Sequence, residues 1–152
     1  MVKPLSSKTY SFKVPEMTYL EYHWKNDALK YASKKLKTNV LCQPKVPNLD
    51  CADAFCMVPS DEDKKLYMLV IFLTTVTEKH PIKTKNLQDI IKSFPEAIQS
   101  KIKTKLFVFI TPLDGKLKCA QPYLTTDNVV IKNEELSALL SGFIQCVYRR
   151  SI

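Results

Sequence analysis

Residues 66–76 read LYMLVIFLTTV, and this stretch decides the fold class. Apart from its threonines it is apolar, with β-branched and aromatic residues throughout, which is typical of a strand buried on both faces. Residues 106–110, LFVFI, form a second stretch of the same kind. Residues 84–94 lie between them and carry apolar side chains at helical spacing, interrupted by Pro95. A helix between two such strands predicts a parallel crossover, and therefore an α/β protein with a mixed sheet.

The segments before residue 66 add a helix and two more strands. Residues 17–36 place apolar side chains at helical spacing opposite several lysines, so we expect a helix there. Residues 39–43 and 51–58 (CADAFCMV) are short apolar runs that suit strands. Residues 59–65 (PSDEDKK) have no apolar residue except proline and predict a solvated turn.

The segments after residue 110 predict a hairpin and a final helix. Asp114-Gly115 is a hairpin turn signal that leads into an expected strand over residues 116–124. Residues 133–147 begin with Asn133 as a candidate N-cap and line one helical face with apolar side chains. The predicted order is α-β-β-β-α-β-β-α in one domain, a mixed β-sheet flanked by helices over residues 16–152, preceded by a lead-in arm over residues 1–15.

Composition limits the function. The chain has 152 residues and a net charge of +8, which favours nucleic acid or another polyanion as a partner. All 23 basic residues except Arg149 and Arg150 are lysine, which attracts phosphate without reading bases. Two glycines cannot build a glycine-rich phosphate loop. No apolar run reaches the length of a membrane helix and no leader is visible, so we expect an intracellular protein with no membrane partner.

Five cysteines without a CxxC pair indicate buried, reduced thiols. A zinc site that uses Cys51 and Cys56 would need unusual spacing. A Cys–His pair assembled only by the fold stays open.

Three stretches resemble a known family. They are NLDCADAFCMV (residues 48–58), YMLVIFLTTVTEKHPIKTKNLQDI (67–90) and KLFVFITPLDG (105–115). Over roughly residues 46–124 the chain resembles the C-terminal domain of Crinkler-type effectors and trypanosome retrotransposon-hot-spot proteins, which are degenerate members of the restriction-endonuclease-like superfamily. The resemblance implies a restriction-endonuclease-like fold. It also implies that the partner is nucleic acid, with DNA preferred over RNA as the expectation, and that the protein acts in the nucleus.

The resemblance also implies site residues. Asp53 matches an aspartate near the second strand, and Thr75 matches the threonine of a Gln-X-Thr-like triplet that ends the third. His80 matches a following histidine, and Gln88 matches a glutamine in the next helix. Glu21 could match the acid of the first helix. In active members of the superfamily the acids hold Mg²⁺, so Asp53 and Glu21 are the candidate metal ligands.

This chain departs from the catalytic pattern. The expected Glu or Gln position holds Leu73, or Phe72 in a register shifted by one, and the lysine position holds Thr75. Loss of these groups should cost orders of magnitude in rate. The expectation is therefore a nucleic-acid-binding domain with a weak or inactive nuclease site and no certain cofactor. An active Mg²⁺-dependent nuclease is the first alternative, and a module that binds a protein partner or forms a homodimer is the second.

A purely structural role stays open for each of these candidate residues. Asp53 could cap a loop at a strand end, His80 before Pro81 could be a turn residue, and Gln88 could be a solvated helix residue. Lysines cluster around residues 79–105, and they either form a solvated surface or face phosphate. The candidate nucleic-acid-binding residues are Lys79, His80, Lys83, Lys85 and Lys92.

Overall fold

The computed structural model describes the backbone of residues 5, 10, 12, 17–20, 22–25, 28–31, 36–44 and 52–150, and the side chains of these residues except 17–31 and 44. In chain order the elements are β1 (Met17–Leu20), β2 (Tyr22–Lys25), β3 (Ala28–Tyr31), β4 (Leu41–Pro44), β5 (Ala54–Pro59), β6 (Tyr67–Thr74), β7 (Ile82–Lys83), α1 (Thr84–Lys92), α2 (Glu96–Gln99), β8 (Ile102–Pro112), β9 (Tyr123–Leu124), β10 (Val130–Ile131), a 3₁₀ helix (Asn133–Glu135) and β11 (Phe143–Arg150).

The main sheet is mixed, so the predicted α/β class is confirmed. Its six strands lie in the order β1-β4-β5-β6-β8-β11. Only β5 runs antiparallel to its neighbours, while β6, β8 and β11 are parallel and adjacent. Two smaller sheets accompany it, β10-β9-β7 and the pair β2-β3. Strand β6 and helix α1 fall within the segments predicted for them, β5 ends one residue past its predicted segment, and β8 contains the predicted residues 106–110 but is longer at both ends.

One face of the main sheet packs against α1. The helix buries Leu87, Ile90 and Ile91 against the sheet, and Phe94 follows directly after it. The Phe94 ring meets Phe55 of β5 edge-on, with ring centroids 6.3 Å apart. Strands β5, β6 and β8 contribute further fully buried side chains to this face: Met57, Leu69, Ile71, Phe107 and Phe109. This face holds most of the large buried side chains.

The opposite face carries a smaller apolar cluster, which includes Cys56, Val70 and Leu106. Tyr10 and Phe12 pack against it, and the Phe12 ring lies 6.0 Å from that of Phe72. The described residues of the predicted lead-in arm over residues 1–15 therefore contribute to the core, as Leu5 also does on the helical face.

The helix predicted over residues 17–36 is wrong for the described residues there, which form β1, β2 and β3. β1 pairs in parallel with β4, and β2 pairs antiparallel with β3, with Trp24 opposite Leu29. Thr18, Tyr19 and Trp24 favour strands, and the sheet supplies hydrogen-bond partners that outweigh the weak helical pattern.

The helix predicted over residues 133–147 is also wrong. A 3₁₀ turn replaces its first part, and β11 replaces its end. Gly142 has a φ of +79°, which lies outside the helical region, directly before the strand begins. The residues from Phe143 onward pair with β8 over eight positions. Lys105 of β8 also donates to the Leu139 carbonyl at 3.0 Å and so holds the approach to β11.

The turn at Asp114-Gly115 forms, since the Gly115 amide donates to the Pro112 carbonyl at 2.9 Å. The antiparallel strand predicted over residues 116–124 does not. Only Tyr123–Leu124 is a strand, and it pairs with β7 and β10 in the small sheet. The place beside β8 is taken by β11 instead.

Candidate functional site

Three parallel strands end side by side, and the loops that follow them form one surface. We call this surface the carboxyl edge: residues 74–79 at and after the end of β6, residues 111–115 at and after the end of β8, residues 148–150 at the end of β11, and Asp53 directly before β5. Thr74 lies opposite Ile110, and Ile110 lies opposite Tyr148. In sheets of this type, ligands bind outside the carboxyl ends of the parallel strands.

Asp53 joins β5 to the end of β6. Its amide donates to the Phe72 carbonyl at 2.8 Å, and its carboxylate oxygen Oδ2 accepts from the Thr74 amide at 2.6 Å. Asp53 is exposed. One half of this carboxylate is therefore committed to holding the end of a strand.

Thr75 is buried directly after β6. Its amide donates to the Ile110 carbonyl at 3.0 Å, which continues the contact with β8. Its hydroxyl lies 2.9 Å from that of Thr77 and accepts from the Thr77 amide at 3.2 Å. The Thr77 hydroxyl in turn donates to the Lys79 carbonyl at 2.8 Å. These bonds shape the loop that presents Lys79.

Two buried glutamines tie β11 to the same loop, and we call them the glutamine relay. The Gln145 side chain accepts from the Gln121 amide at 2.5 Å and donates to the Gln121 carbonyl at 2.9 Å. The Gln121 side chain accepts from the His80 amide at 2.6 Å and donates to the Cys119 carbonyl at 2.9 Å. His80 is therefore positioned through its backbone. Its ring Nδ1 is buried and has no hydrogen-bond partner within the described residues.

Arg149 closes the turn after β8. Its guanidinium donates to the Thr111 hydroxyl at 3.2 Å and to the carbonyls of Gly115 and Leu117 at 2.9 Å each. All three acceptors are uncharged, so the positive charge of Arg149 stays at the carboxyl edge.

The structure separates the predicted lysines into two groups. The first group is at the carboxyl edge and beside it. Lys79 lies on the edge, Lys83 lies in β7, and Lys85 lies in the first turn of α1. The Lys83 ammonium bonds the Asn128 side chain of the β9–β10 hairpin. Lys92 ends α1, which at about 1.5 Å per residue places it about 12 Å along the helix from Thr84.

The second group lies at the amino ends of the strands. The Lys101 carbonyl accepts from the Tyr67 amide, where β6 begins. Lys103 forms an ion pair with Glu62 at 2.5 Å. Asp61, Glu62 and Asp63 are exposed in the turn at this end, so the lysines here lie beside acidic residues.

The remaining predicted site residues do not join Asp53. Gln88 is half-buried in α1, and within residues 52–150 no hydrogen bond links it to Asp53 or Thr75. Glu21 lies outside the described residues. Sequence reasoning did not identify the glutamine relay or the role of Arg149, because the partners that define them lie 24 to 41 residues away.

The described residues do not fit a Mg²⁺ site of the superfamily. No group of three His, Cys, Asp or Glu side chains comes together in this part of the chain. Asp53 gives one oxygen to Thr74, and Leu73, where a ligand would be expected, is buried in the apolar core. Mg²⁺ prefers several oxygen ligands in near-octahedral geometry, and these residues supply one carboxylate.

Cys42 and Cys56 behave as apolar core residues, as predicted. Burial raises the pKa of Cys42 to about 11 and that of Cys56 to about 12, with Cys42 adding to the shift of Cys56. Both thiols therefore stay protonated at neutral pH and are poor nucleophiles. They pack on opposite faces of the sheet. Cys51, the other half of the zinc alternative, lies outside the described residues.

No protein-family model, curated protein or solved structure matches this chain. The resemblance to the Crinkler and retrotransposon-hot-spot families therefore stays a prediction. Within the described residues, no helix has both the length and the apolar character needed to cross a membrane.

Asp53 offers a direct test of its structural role. Replacing it with alanine is expected to lower the free energy of unfolding by about 1 kcal/mol, because the Thr74 amide loses a charged acceptor. Asp53→Asn keeps a side-chain oxygen and should lose less. Urea unfolding with and without Mg²⁺ measures both. Stabilisation of the wild type alone by Mg²⁺, with D53A otherwise as stable, would instead identify Asp53 as a metal ligand.

Proposed function

We propose that this protein binds nucleic acid through its carboxyl edge and has little or no nuclease activity. One observation carries the proposal: cations gather at and beside this edge without carboxylate partners. Within the described residues, no ion pair involves Lys79, Lys83, Lys85, Arg149 or Arg150. Cations of this kind attract phosphate, and they release counterions when it binds.

The charge balance supports this location. The acids of the carboxyl edge are Asp53, Glu78 and Asp114, and Asp53 already bonds the Thr74 amide. The edge itself has the same number of cations, Lys79, Arg149 and Arg150, and the excess of positive charge comes from Lys83 and Lys85 beside it. At the opposite end of the strands, the lysines lie beside residues 61–63, which are all acidic. The five cations at and beside the carboxyl edge therefore exceed its three acids and carry part of the net charge of +8.

The fold gives the proposal a second support. β4, β5, β6, α1 and β8 follow one another as three strands, a helix and a strand, which is part of the order expected for a restriction-endonuclease-like core, although the described residues of its expected first helix form strands instead. Asp53 precedes the second of these strands, and Thr75 follows the third, which are the positions implied by the resemblance. The same positions lack the ligands and the lysine of a working nuclease, so binding without cleavage is the function proposed. A nuclear location belongs to the same hypothesis.

The test replaces Lys79, Lys83 and Lys85 by glutamine together. Binding to a labelled DNA oligonucleotide is followed by fluorescence anisotropy between about 50 and 200 mM salt. The wild type should bind less tightly as salt rises. The variant should bind more weakly at every salt concentration, and its salt slope should be smaller by about two to three, since each lost phosphate contact removes close to one unit.

K64Q/K65Q/K101Q is the matched control, because it removes the same charge from the opposite end of the strands. It should change the salt slope by less than half as much. Equal effects from the two triple variants would mean that net charge alone attracts DNA, and the proposed surface would be wrong. Cleavage of the oligonucleotide in Mg²⁺ that is lost with D53N would favour the nuclease alternative.

A further inference from the structure

The carboxyl edge exposes apolar side chains as well as charges. In the described part of the chain, the most exposed large hydrophobic residues are Val76, Leu113, Val129, Val130 and Tyr148, at 60 to 72% exposure. Val76 follows β6, Leu113 follows β8, and Tyr148 lies near the end of β11. Each of the three parallel strands therefore places one of these residues at the same edge.

The sheet register fixes the surroundings of Tyr148. It shares a row with Ile110 and Thr74 across β11, β8 and β6, and adjacent strands are about 4.8 Å apart. Arg150 lies two residues further along β11, so it belongs to the same face. An exposed aromatic ring therefore stands beside an exposed guanidinium, at the end of a row about 10 Å long.

This combination is selective among polyanions. A duplex presents phosphates but keeps the faces of its bases stacked inside. An exposed tyrosine ring therefore finds no free base to stack on. A single strand presents both its phosphates and the faces of its bases, and bases stack on aromatic side chains in a way that tolerates any sequence. An acidic peptide offers charge without planar apolar faces.

We propose that the carboxyl edge binds single-stranded nucleic acid. The lysines contact its phosphates, and one unstacked base packs on Tyr148 beside Arg150, while Val76 and Leu113 contact neighbouring apolar surface. This inference rests on the proposed function and deepens it.

The experiment titrates the full chain with three labelled DNA probes: a single strand, its duplex, and an abasic single strand of the same length. The wild type should bind the single strand most tightly. Tyr148→Ala should weaken that binding about 5- to 150-fold, the range measured for loss of one base–aromatic stack. The duplex and the abasic strand should lose less than twofold, and Tyr148→Phe should restore binding of the single strand.

Val129→Ser is the matched control, since Val129 is as exposed as Tyr148 but lies in the β9–β10 hairpin, and it should leave all three affinities unchanged. Two results would overturn the inference: an equal loss of affinity for all three probes with Y148A, or a wild type that binds the duplex as tightly as the single strand. In either case K79Q/K83Q/K85Q still tests the proposed function separately. Displacement of the single strand by polyglutamate at equal charge would assign the surface to acidic protein segments. If no probe binds the wild type, both proposals fail.

Discussion

Gln145→Leu is expected to destabilise the protein by about 2–4 kcal/mol. Gln145 is 8% exposed, and its amide bonds both the N–H and the C=O of Gln121. Leucine has a similar volume but offers neither partner, so two buried backbone groups lose their hydrogen bonds. The loss should also loosen the link to His80, because Gln121 bonds the His80 amide.

Two measurements separate these effects. Urea unfolding gives the loss of stability, and hydrogen exchange at the His80 amide reports the link to the loop. Gln145→Glu keeps an acceptor for the Gln121 amide but sets a buried carboxylate against the Gln121 carbonyl oxygen, so at neutral pH it should be no more stable than Q145L. A Q145L variant as stable as the wild type, with unchanged exchange at His80, would show that the glutamine relay holds nothing in place.

Phe94→Ala is expected to be the most destabilising single change, at about 3–5 kcal/mol. The Phe94 ring is fully buried between the end of α1 and β5, where it meets Phe55. Alanine leaves a cavity that the surrounding strands cannot close, because paired strands cannot shift one residue at a time.

Chemical denaturation of F94A and Phe94→Leu measures this effect. The leucine variant refills most of the cavity and should lose about 1.5 kcal/mol or less. Val76→Ala, at a site 72% exposed, should stay within about 0.5 kcal/mol of the wild type. A loss below about 1 kcal/mol for F94A would place Phe94 outside the core.

The candidate site could be predicted from sequence only in part. Asp53 and Thr75 do lie at one edge of the sheet, because a strand end and the start of its hairpin partner must meet there. A structural role for Asp53, as a residue that caps a strand end, agrees with the hydrogen bond that its carboxylate accepts from the Thr74 amide. Gln121 and Gln145 carry no local signal, since a glutamine in a sequence looks the same whether it faces solvent or clamps a distant backbone. The role of Arg149 has no local signal either, because its three hydrogen-bond acceptors lie 32 to 38 residues earlier in the chain.

Local pattern by itself determined the centre of this protein. The strands β5, β6 and β8, the solvated turn before β6, helix α1 and its interruption at Pro95 follow from runs of apolar residues, helical spacing and a missing amide donor. These elements supply most of the fully buried apolar side chains of the core.

Tertiary structure alone decided the described residues between 17 and 31, and residues 143–150. Both segments have apolar residues at a spacing that suits a helix, and both contain residues that suit a strand. For residues 143–150 the choice depended on the open edge of β8, which offers eight residues of backbone pairing that an isolated helix could not match. For residues 17–20 it depended in the same way on β4. Backbone hydrogen bonds to a partner distant in sequence outweigh a weak local preference, and that partner exists only once the sheet has formed.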